Sequence, residues 1–168
     1  MGDKKYDFEP IDVFSSEGRK VMASYSPTAR IPILVDDQTV VWDSLLITQY
    51  LLGQPISVEV QKALVLVNEI TDAGVQLFQL RKFAVDPEDE SIFSKNNLSR
   101  LSAGLGYFEN NLPGDWGLAA QWLYCTLDWF AFRSIYDWQN AHKGLVAFYH
   151  ENTSKPHLAE TDPRSPKI

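Results

Sequence analysis

The chain has 168 residues, 45% of them hydrophobic and 22% charged, which is the composition of a globular protein that buries a core without disulfides or bound metal. Its formal net charge of −7 argues against nucleic acid as a partner, because phosphate binding needs clustered Lys and Arg. No apolar run reaches the roughly 18 residues of a membrane span, no signal-peptide core is present, and a single cysteine excludes an internal disulfide. We therefore expect a cytoplasmic protein that binds neither nucleic acid nor membrane.

The first third of the chain has the alternating pattern of strands. Residues 6–13 alternate apolar and acidic side chains and predict a half-buried strand, in which Pro10 indicates an edge or a strand end. Residues 31–35 and 39–42 flank Asp-Asp-Gln at 36–38 and predict a hairpin with a short acidic turn. This region therefore predicts a small sheet.

After the hairpin the apolar residues change to a helical period. Asp43 and Ser44 precede a helix that ends before Gly53, and Asp-Ser is a good N-cap. The segment 15–22 is polar and predicts one or two helical turns or a loop. The glycines Gly104 and Gly106 indicate close helix contacts or a local bend. Four further helices are predicted, over 57–85, 90–112, 117–135 and 143–152.

Two ordered motifs in the first third resemble a known family. Residues 26–35 are Ser-Pro-Thr-Ala-Arg-Ile-Pro-Ile-Leu-Val, followed by Trp-Asp-Ser at 42–44 and Ile-Thr-Gln-Tyr-Leu at 47–51. This order resembles the signature of the glutathione transferase N-terminal domain, Asn-Pro-x-Gly-Lys-Val-Pro-x-Leu, followed by Glu/Asp-Ser and a helix ending Tyr-Leu.

The later helical region is similar to the C-terminal domain of bacterial members of the same family. The matching positions are 127–133, Asp137-Trp138, 145–149, Lys155-Pro156 and Thr161. The resemblance implies a mostly α fold with a small α/β part. A truncated thioredoxin-like, glutathione-binding domain would cover 1–53, and an all-helical domain would cover 57–161. Residues 162–168 are expected to form a mobile tail.

The resemblance also implies where glutathione binds. Ile31 precedes Pro32, a candidate cis peptide, and its backbone N–H and C=O would pair with the cysteinyl part of glutathione as an added strand does. Ser44 would hold the γ-glutamyl carboxylate at a helix N-terminus, which favours anions, with Asp43 near the amine. Arg30, at the family's frequent lysine position, would reach the glycyl end.

No catalytic residue is assigned. In the family, a first strand and helix with the thiol-activating Ser, Tyr or Cys precede the segment that begins here at Tyr6, and five residues stand before it. Three functions remain open. The chain is a homodimeric glutathione transferase that conjugates or reduces an apolar electrophile if that segment is supplied, a non-catalytic binding protein of the same fold, or a damaged product without its own function.

The same gap leaves the strand at 6–13 without its family neighbour. It would pair with 33–35, pair across a dimer, or pair with upstream residues. On the predicted central helix, Cys125 is expected to be buried and inert. The histidines at 142, 150 and 157 are expected on the surface, and no metal site is expected. Four aromatic residues are expected mainly in the core, where some would line an apolar pocket for the second substrate: Trp116, Trp122, Tyr124 and Trp129.

Overall fold

The computed structural model of the chain describes residues 6–162 and 164. The chain forms two compact units, Met1–Val58 and Glu59–Ile168, called here the N-terminal and C-terminal units. No helix among the described residues is long and apolar enough to cross a membrane.

The N-terminal unit contains two helices and a hairpin. Its elements are α1 (Ser16–Tyr25), β1 (Leu34–Asp36), β2 (Thr39–Val41) and α2 (Ser44–Leu52). The hairpin is confirmed: β1 and β2 pair antiparallel, with Leu34 opposite Val41 and Asp36 opposite Thr39. Asp37 begins the two-residue turn with a φ of 52°, a left-handed conformation that Asp tolerates better than most residues.

Residues 6–13 do not form the predicted strand. Residues 6–12 have no regular structure, and 13 and 14 form a turn. A strand needs a hydrogen-bonded neighbour, and the only sheet among the described residues contains β1 and β2 alone. Pairing of 6–13 with 33–35 in the same chain is therefore not observed.

The end of this segment is instead fixed to α1. The Ser15 hydroxyl accepts a hydrogen bond from the Gly18 N–H at 2.9 Å as the N-cap, and it donates to the Asp12 carbonyl oxygen. A Cβ atom on Gly18 would lie 2.1 Å from that same oxygen, so only glycine fits the approach. The capped helix α1 has 10 residues and is therefore longer than the one or two helical turns predicted.

The C-terminal unit is entirely helical. Its helices are α3 (Val58–Lys82), α4 (Ile92–Asn110), α5 (Leu118–Arg133), α6 (Trp138–Ala141), α7 (Lys143–Asn152) and α8 (Leu158–Thr161). The four predicted helices of this region correspond to α3, α4, α5 and α7, and α6 and α8 were not predicted. One buried cluster holds the unit together, including Leu77, Leu101, Leu105, Leu123, Leu127, Phe130 and Trp138.

The connection between α3 and α4 is held by three charged residues, Arg81, Asp86 and Asp89. The Asp86 carboxylate accepts hydrogen bonds from the N–H groups of Glu90 and Ser91 and from the Ser94 hydroxyl. The pKa of Asp86 lies well below its usual range, first because of the Ser91 and Ser94 side chains and then because of the two N–H groups. Arg81 pairs with Asp89 and donates to the carbonyl oxygens of Ser134 and Ile135, so the connection is tied to the end of α5.

The predicted tail, residues 162–168, lies outside the described residues except for Asp162 and Arg164. Arg164 donates to both carboxylate oxygens of Asp128 on α5, at 2.7 and 2.6 Å, and to Asp162 at 2.8 Å. Tyr149 donates to the same Asp128 at 2.6 Å. Asp128 therefore joins α5, α7 and the C-terminal segment.

Candidate glutathione site

The loop before β1 begins with a turn that its sequence favours. The N–H of Ala29 donates to the carbonyl oxygen of Ser26 at 3.0 Å, which places Pro27 at the second position, where its fixed φ suits a turn. Ser26 is 1% exposed, and its hydroxyl lies 3.2 Å from that of Thr28. This turn joins α1 to the segment that carries the predicted site.

The predicted cis peptide between Ile31 and Pro32 is confirmed, and a second cis peptide joins Trp42 to Asp43. Arg30, Ile31 and Pro32 are all exposed. No ion pair involves Arg30 in the described part of the chain.

Ala29 is a position that sequence reasoning missed. Its φ is 48°, in the left-handed region that an L-residue with a Cβ adopts at a cost of about 1–2 kcal/mol. The signature of the resembled family has glycine at this position. The replacement of that glycine by Ala29 was the sequence feature that could have drawn attention to this residue. The loop therefore has a left-handed conformation at a residue with a Cβ.

The hairpin register brings the two halves of the predicted site to one end. Because Leu34 lies opposite Val41, the residues that precede β1 and those that follow β2 leave the hairpin at the same end. Residues 30–33 form the first half and 42–44 the second. A single antiparallel pairing thus places the two motifs at the same end of the hairpin.

Asp43 caps α2, as predicted. Its Oδ1 accepts hydrogen bonds from the N–H groups of Leu45 at 3.0 Å and Leu46 at 3.4 Å. Ser44 is half-buried, and its hydroxyl makes no hydrogen bond in the described part of the chain. Two of the N–H groups at this helix start are therefore already used by Asp43, while the Ser44 hydroxyl is free to bind a ligand.

The opposite end of the hairpin is acidic. Tyr50, near the end of α2, donates a hydrogen bond to Asp36 at 2.9 Å, and that bond is the main reason that the pKa of Tyr50 is raised. Asp37 lies beside it in the turn. The bond ties the C-terminal end of α2 to the turn, so both ends of α2 are fixed to the hairpin.

Cys125 is exposed, and the prediction that it is buried was wrong. The central helix α5 is apolar on nearly all faces, but this face is not covered within the described residues. Neighbouring atoms still desolvate the sulfur, and Asp128 lies nearby, so the pKa of the Cys125 thiol is raised. A raised pKa disfavours the reactive thiolate.

His150 and His157 are exposed, as predicted, whereas His142 is half-buried. The His157 Nδ1 lies 3.0 Å from the Glu160 carboxylate. His142 is half-buried, and its Nε2 is buried without a hydrogen-bond partner. No three metal-ligating side chains cluster within the part of the chain that the structure describes.

The aromatic residues of the C-terminal unit lie mainly in or against its core. Tyr124 is buried and stacks on Tyr149 with ring centroids 4.7 Å apart, and Trp116 packs edge-on against Tyr124. Trp122 and Trp129 are half-buried against the same cluster. A separate open cavity of about 530 Å³ lies between the start of α3 and the end of α4, and Tyr107 and Leu66 are among its lining residues.

Comparison with known proteins identifies the fold. A family model described as "Glutathione S-transferase, N-terminal domain" matches residues 2–57. A search of curated protein sequences returned no match.

Three solved structures are similar to this chain. A glutathione S-transferase from Methylobacterium radiotolerans, in complex with glutathione sulfonate, aligns with a TM-score of 0.74 and 19% identity over 96% of this chain and 82% of that one. One from Methylobacillus flagellatus with glutathione bound has a TM-score of 0.68 and 19% identity over 80% and 76%. A glutathione transferase family member from Pseudomonas fluorescens, with bound S-(propanoic acid)-glutathione, has a TM-score of 0.68 and 23% identity over 83% and 79%.

The fold is thus that of the glutathione S-transferases, mostly helical with a small thioredoxin-like α/β part. The resemblance to the bacterial members of that family is confirmed. The chain resembles the glutathione transferases by sequence over residues 2–57 and by fold over 80–96% of its length.

Proposed function

We propose that this chain binds glutathione in the N-terminal unit, through Arg30, Ile31, Pro32, Asp43 and Ser44. The observation that supports the proposal most is the hairpin register, which brings residues 30–33 and 42–44 to one end of β1 and β2. The three similar structures contain glutathione or a derivative of it, which adds support from outside the chain.

Each group has a chemical role in this proposal. The backbone of Ile31, an exposed residue, pairs with the cysteinyl residue of glutathione as an added strand would. The free Ser44 hydroxyl donates to the γ-glutamyl carboxylate, and the start of α2 adds a favourable dipole. Asp43 keeps its cap through Oδ1 and offers its other oxygen to the γ-glutamyl ammonium, which offsets the repulsion between the two carboxylates. Arg30 pairs with the glycyl carboxylate.

The proposed reaction is conjugation or reduction of an apolar electrophile in a cytoplasmic homodimer. In conjugation, the glutathione thiol loses its proton to a base, the thiolate forms a carbon–sulfur bond, and the leaving group departs with its electron pair. A free thiol has a pKa of about 8.5 and is mostly protonated at neutral pH, so the step needs an activating group. No described residue is assigned that role, and the raised pKa of Cys125 makes it unsuitable.

A second candidate is a non-catalytic glutathione-binding protein of the same fold. It is favoured by one observation: the binding groups are present, while no described residue is assigned to activate the thiol. In that case glutathione is a ligand and remains chemically unchanged.

Two measurements separate these functions. Calorimetric titration with glutathione should show binding that Ser44→Ala weakens by roughly tenfold, the effect of one lost hydrogen bond to a charged group. Ser24→Ala is the matched control, because the Ser24 hydroxyl is exposed in the same unit and bonds only to its own helix. Absence of binding to the unmodified chain would overturn both candidates.

A spectroscopic assay with glutathione and a chloronitroaromatic electrophile then tests the reaction. A rate above the uncatalysed background, reduced in Ser44→Ala and kept in Ser24→Ala, supports the transferase. Binding without any rate above background supports the non-catalytic protein.

A further inference from the structure

The open cavity of about 530 Å³ in the C-terminal unit has no part in the functions proposed above. Its walls come from the start of α3, the end of α4 with the connection that follows, and the start of α5. Its lining includes no residue of the proposed glutathione site and none of the four aromatic residues expected at a second-substrate pocket. The volume lies within the range of small-molecule sites, about 300–1,000 Å³.

The lining of this cavity is mainly apolar. Its half-buried residues include Ala63 and Leu66 of α3 and Ala119 of α5. The Tyr107 ring is 50% exposed and packs edge-on against the buried Phe108, with ring centroids 5.5 Å apart. Such a surface can bury the hydrocarbon part of a ligand, and the face of an aromatic ring also attracts a cation.

Three charged side chains line the same cavity. Glu59 and Lys62 lie three positions apart on α3, and Asp115 lies in the connection between α4 and α5. All three are exposed. None of them forms an ion pair or a side-chain hydrogen bond within the described residues, and Asp115 does not cap the nearby helix α5. Their charges are therefore available to a ligand.

The balance of these charges favours a cationic ligand. Two carboxylates and one ammonium group give the lining a net charge of −1, and the whole chain carries −7. An anion would be attracted by Lys62 and repelled by both carboxylates. A cation would be attracted by both carboxylates and by the Tyr107 ring, and repelled by Lys62 alone.

We propose that this cavity binds an organic cation, an ammonium group attached to an aromatic or aliphatic body. The body lies against Leu66 and Tyr107, and the ammonium group lies near the carboxylates of Glu59 and Asp115. The site is built from the C-terminal unit alone, so the proposal does not rest on glutathione binding.

Benzyltrimethylammonium is the probe, because it joins an aromatic ring to a permanent positive charge. Amide NMR of the full chain during titration should show shifts at the residues around the cavity. The dissociation constant should be on the order of 1 mM, as expected for so small a ligand. Phenylacetate carries a negative charge on the same ring and benzyl alcohol carries none, so both should bind more weakly.

Variants of the charged residues test the role of the lining. Glu59→Gln and Asp115→Asn should each weaken probe binding about two- to fivefold, the range for one exposed ion pair. Lys62→Gln should strengthen it by a similar factor, because it removes the one positive charge among the lining residues. Glu69→Gln is the matched control, since Glu69 is exposed on α3 and does not line the cavity.

The Tyr107 ring is tested by a second pair of variants. Tyr107→Leu removes the aromatic face and should weaken probe binding, whereas Tyr107→Phe keeps the face and should bind as the unmodified chain does. Circular dichroism of each variant checks that its helix content is unchanged.

Four results would overturn the proposal. The first is an absence of amide shifts around the cavity, and the second is phenylacetate binding as tightly as the cationic probe. The third is an affinity for the probe in Glu59→Gln and Asp115→Asn that equals that of Glu69→Gln. The fourth is probe affinity that falls as the protein concentration rises, which would show that a second copy of the chain covers the cavity.

Discussion

The carboxylate of Glu109 on α4 caps α7. Its oxygens accept hydrogen bonds from the N–H groups of Gly144 at 2.7 Å and Leu145 at 2.9 Å. The N-cap residue of α7, His142, makes no side-chain capping bond, and Glu109, which lies 35 positions before Gly144, caps the helix instead. These bonds, with that from Gly144 first, lower the pKa of Glu109.

Glu109→Gln should lower the free energy of unfolding by about 1 kcal/mol at pH 7, the usual value for a weakened N-cap. The pKa of Glu109 is lower in the folded protein than in the unfolded chain, whose value is about 4.3. Its contribution is therefore fully present above that value and is lost as the pH falls through the folded pKa.

Chemical denaturation between pH 3 and 7 measures this dependence. Glu151→Gln is the control, because Glu151 is exposed on the same helix α7. The difference between Glu109→Gln and the unmodified protein should shrink below about pH 4. A difference that is constant over this range would show that the carboxylate charge does not contribute.

Asp86 gives a second acid-sensitive site. Asp86→Asn should lower the melting temperature at pH 7 and fray the start of α4, because an amide presents one acceptor oxygen to the three donors around it. The pKa of Asp86 is lowered in the fold, so its contribution is present above the unfolded value and lost on acidification. Hydrogen exchange should show faster exchange at Glu90 and Ser91, while an unchanged rate there would contradict the assignment.

Ala29→Gly should stabilise the N-terminal unit by about 0.5–1 kcal/mol, because glycine adopts the left-handed conformation without the steric cost of a Cβ. Part of the gain is offset by the greater freedom of glycine in the unfolded chain. Slower hydrogen exchange in β1 and β2 would report the gain. Ala23→Gly, on the exposed face of α1, is the matched control and should destabilise the unit by about 0.5–1 kcal/mol.

Local signals account for the parts of this fold that the sequence predicts. The hairpin follows from two alternating segments around a short turn, and α2 follows from the Asp43 cap and Gly53, whose φ of 63° ends the helix. The cis peptide before Pro32 and the meeting of 30–33 with 42–44 also come from local sequence. All five residues of the candidate site lie within the fifteen positions 30–44.

The parts that the sequence did not predict depend on distant partners. Residues 6–13 form a strand only if another strand pairs with them, and their alternating apolar and acidic side chains do not show whether such a strand is present. The apolar composition of α5 predicted that Cys125 is buried. Burial depends on what packs against each face of a helix, and the face that carries Cys125 is exposed. The Glu109 cap joins residues 35 positions apart, and the Asp128–Arg164 pair joins residues 36 positions apart. Contacts at such separations produce no recognisable pattern in the local sequence.

The glycines of α4 provide a matched pair. A Cβ atom on Gly104 would lie 2.5 Å from Cγ1 and 2.6 Å from Cδ1 of Ile70, which is 2% exposed in the core, whereas a Cβ atom on Gly106 would meet nothing within 4 Å. The expected close helix contact is therefore confirmed for Gly104 and not for Gly106. Gly104→Ala should cost about 1–3 kcal/mol through overpacking. Gly106→Ala should stabilise by up to about 1 kcal/mol through helix propensity.

A double-mutant cycle identifies the contact responsible. Ile70→Val removes Cδ1, one of the two atoms that the new methyl group meets, so it should restore part of the stability lost in Gly104→Ala. Combined with Gly106→Ala, the same Ile70→Val change should be additive, because that site does not touch Ile70. Urea denaturation of the six proteins measures both couplings. Additivity in the Gly104 cycle would mean that the cost of Gly104→Ala arises elsewhere than at Ile70.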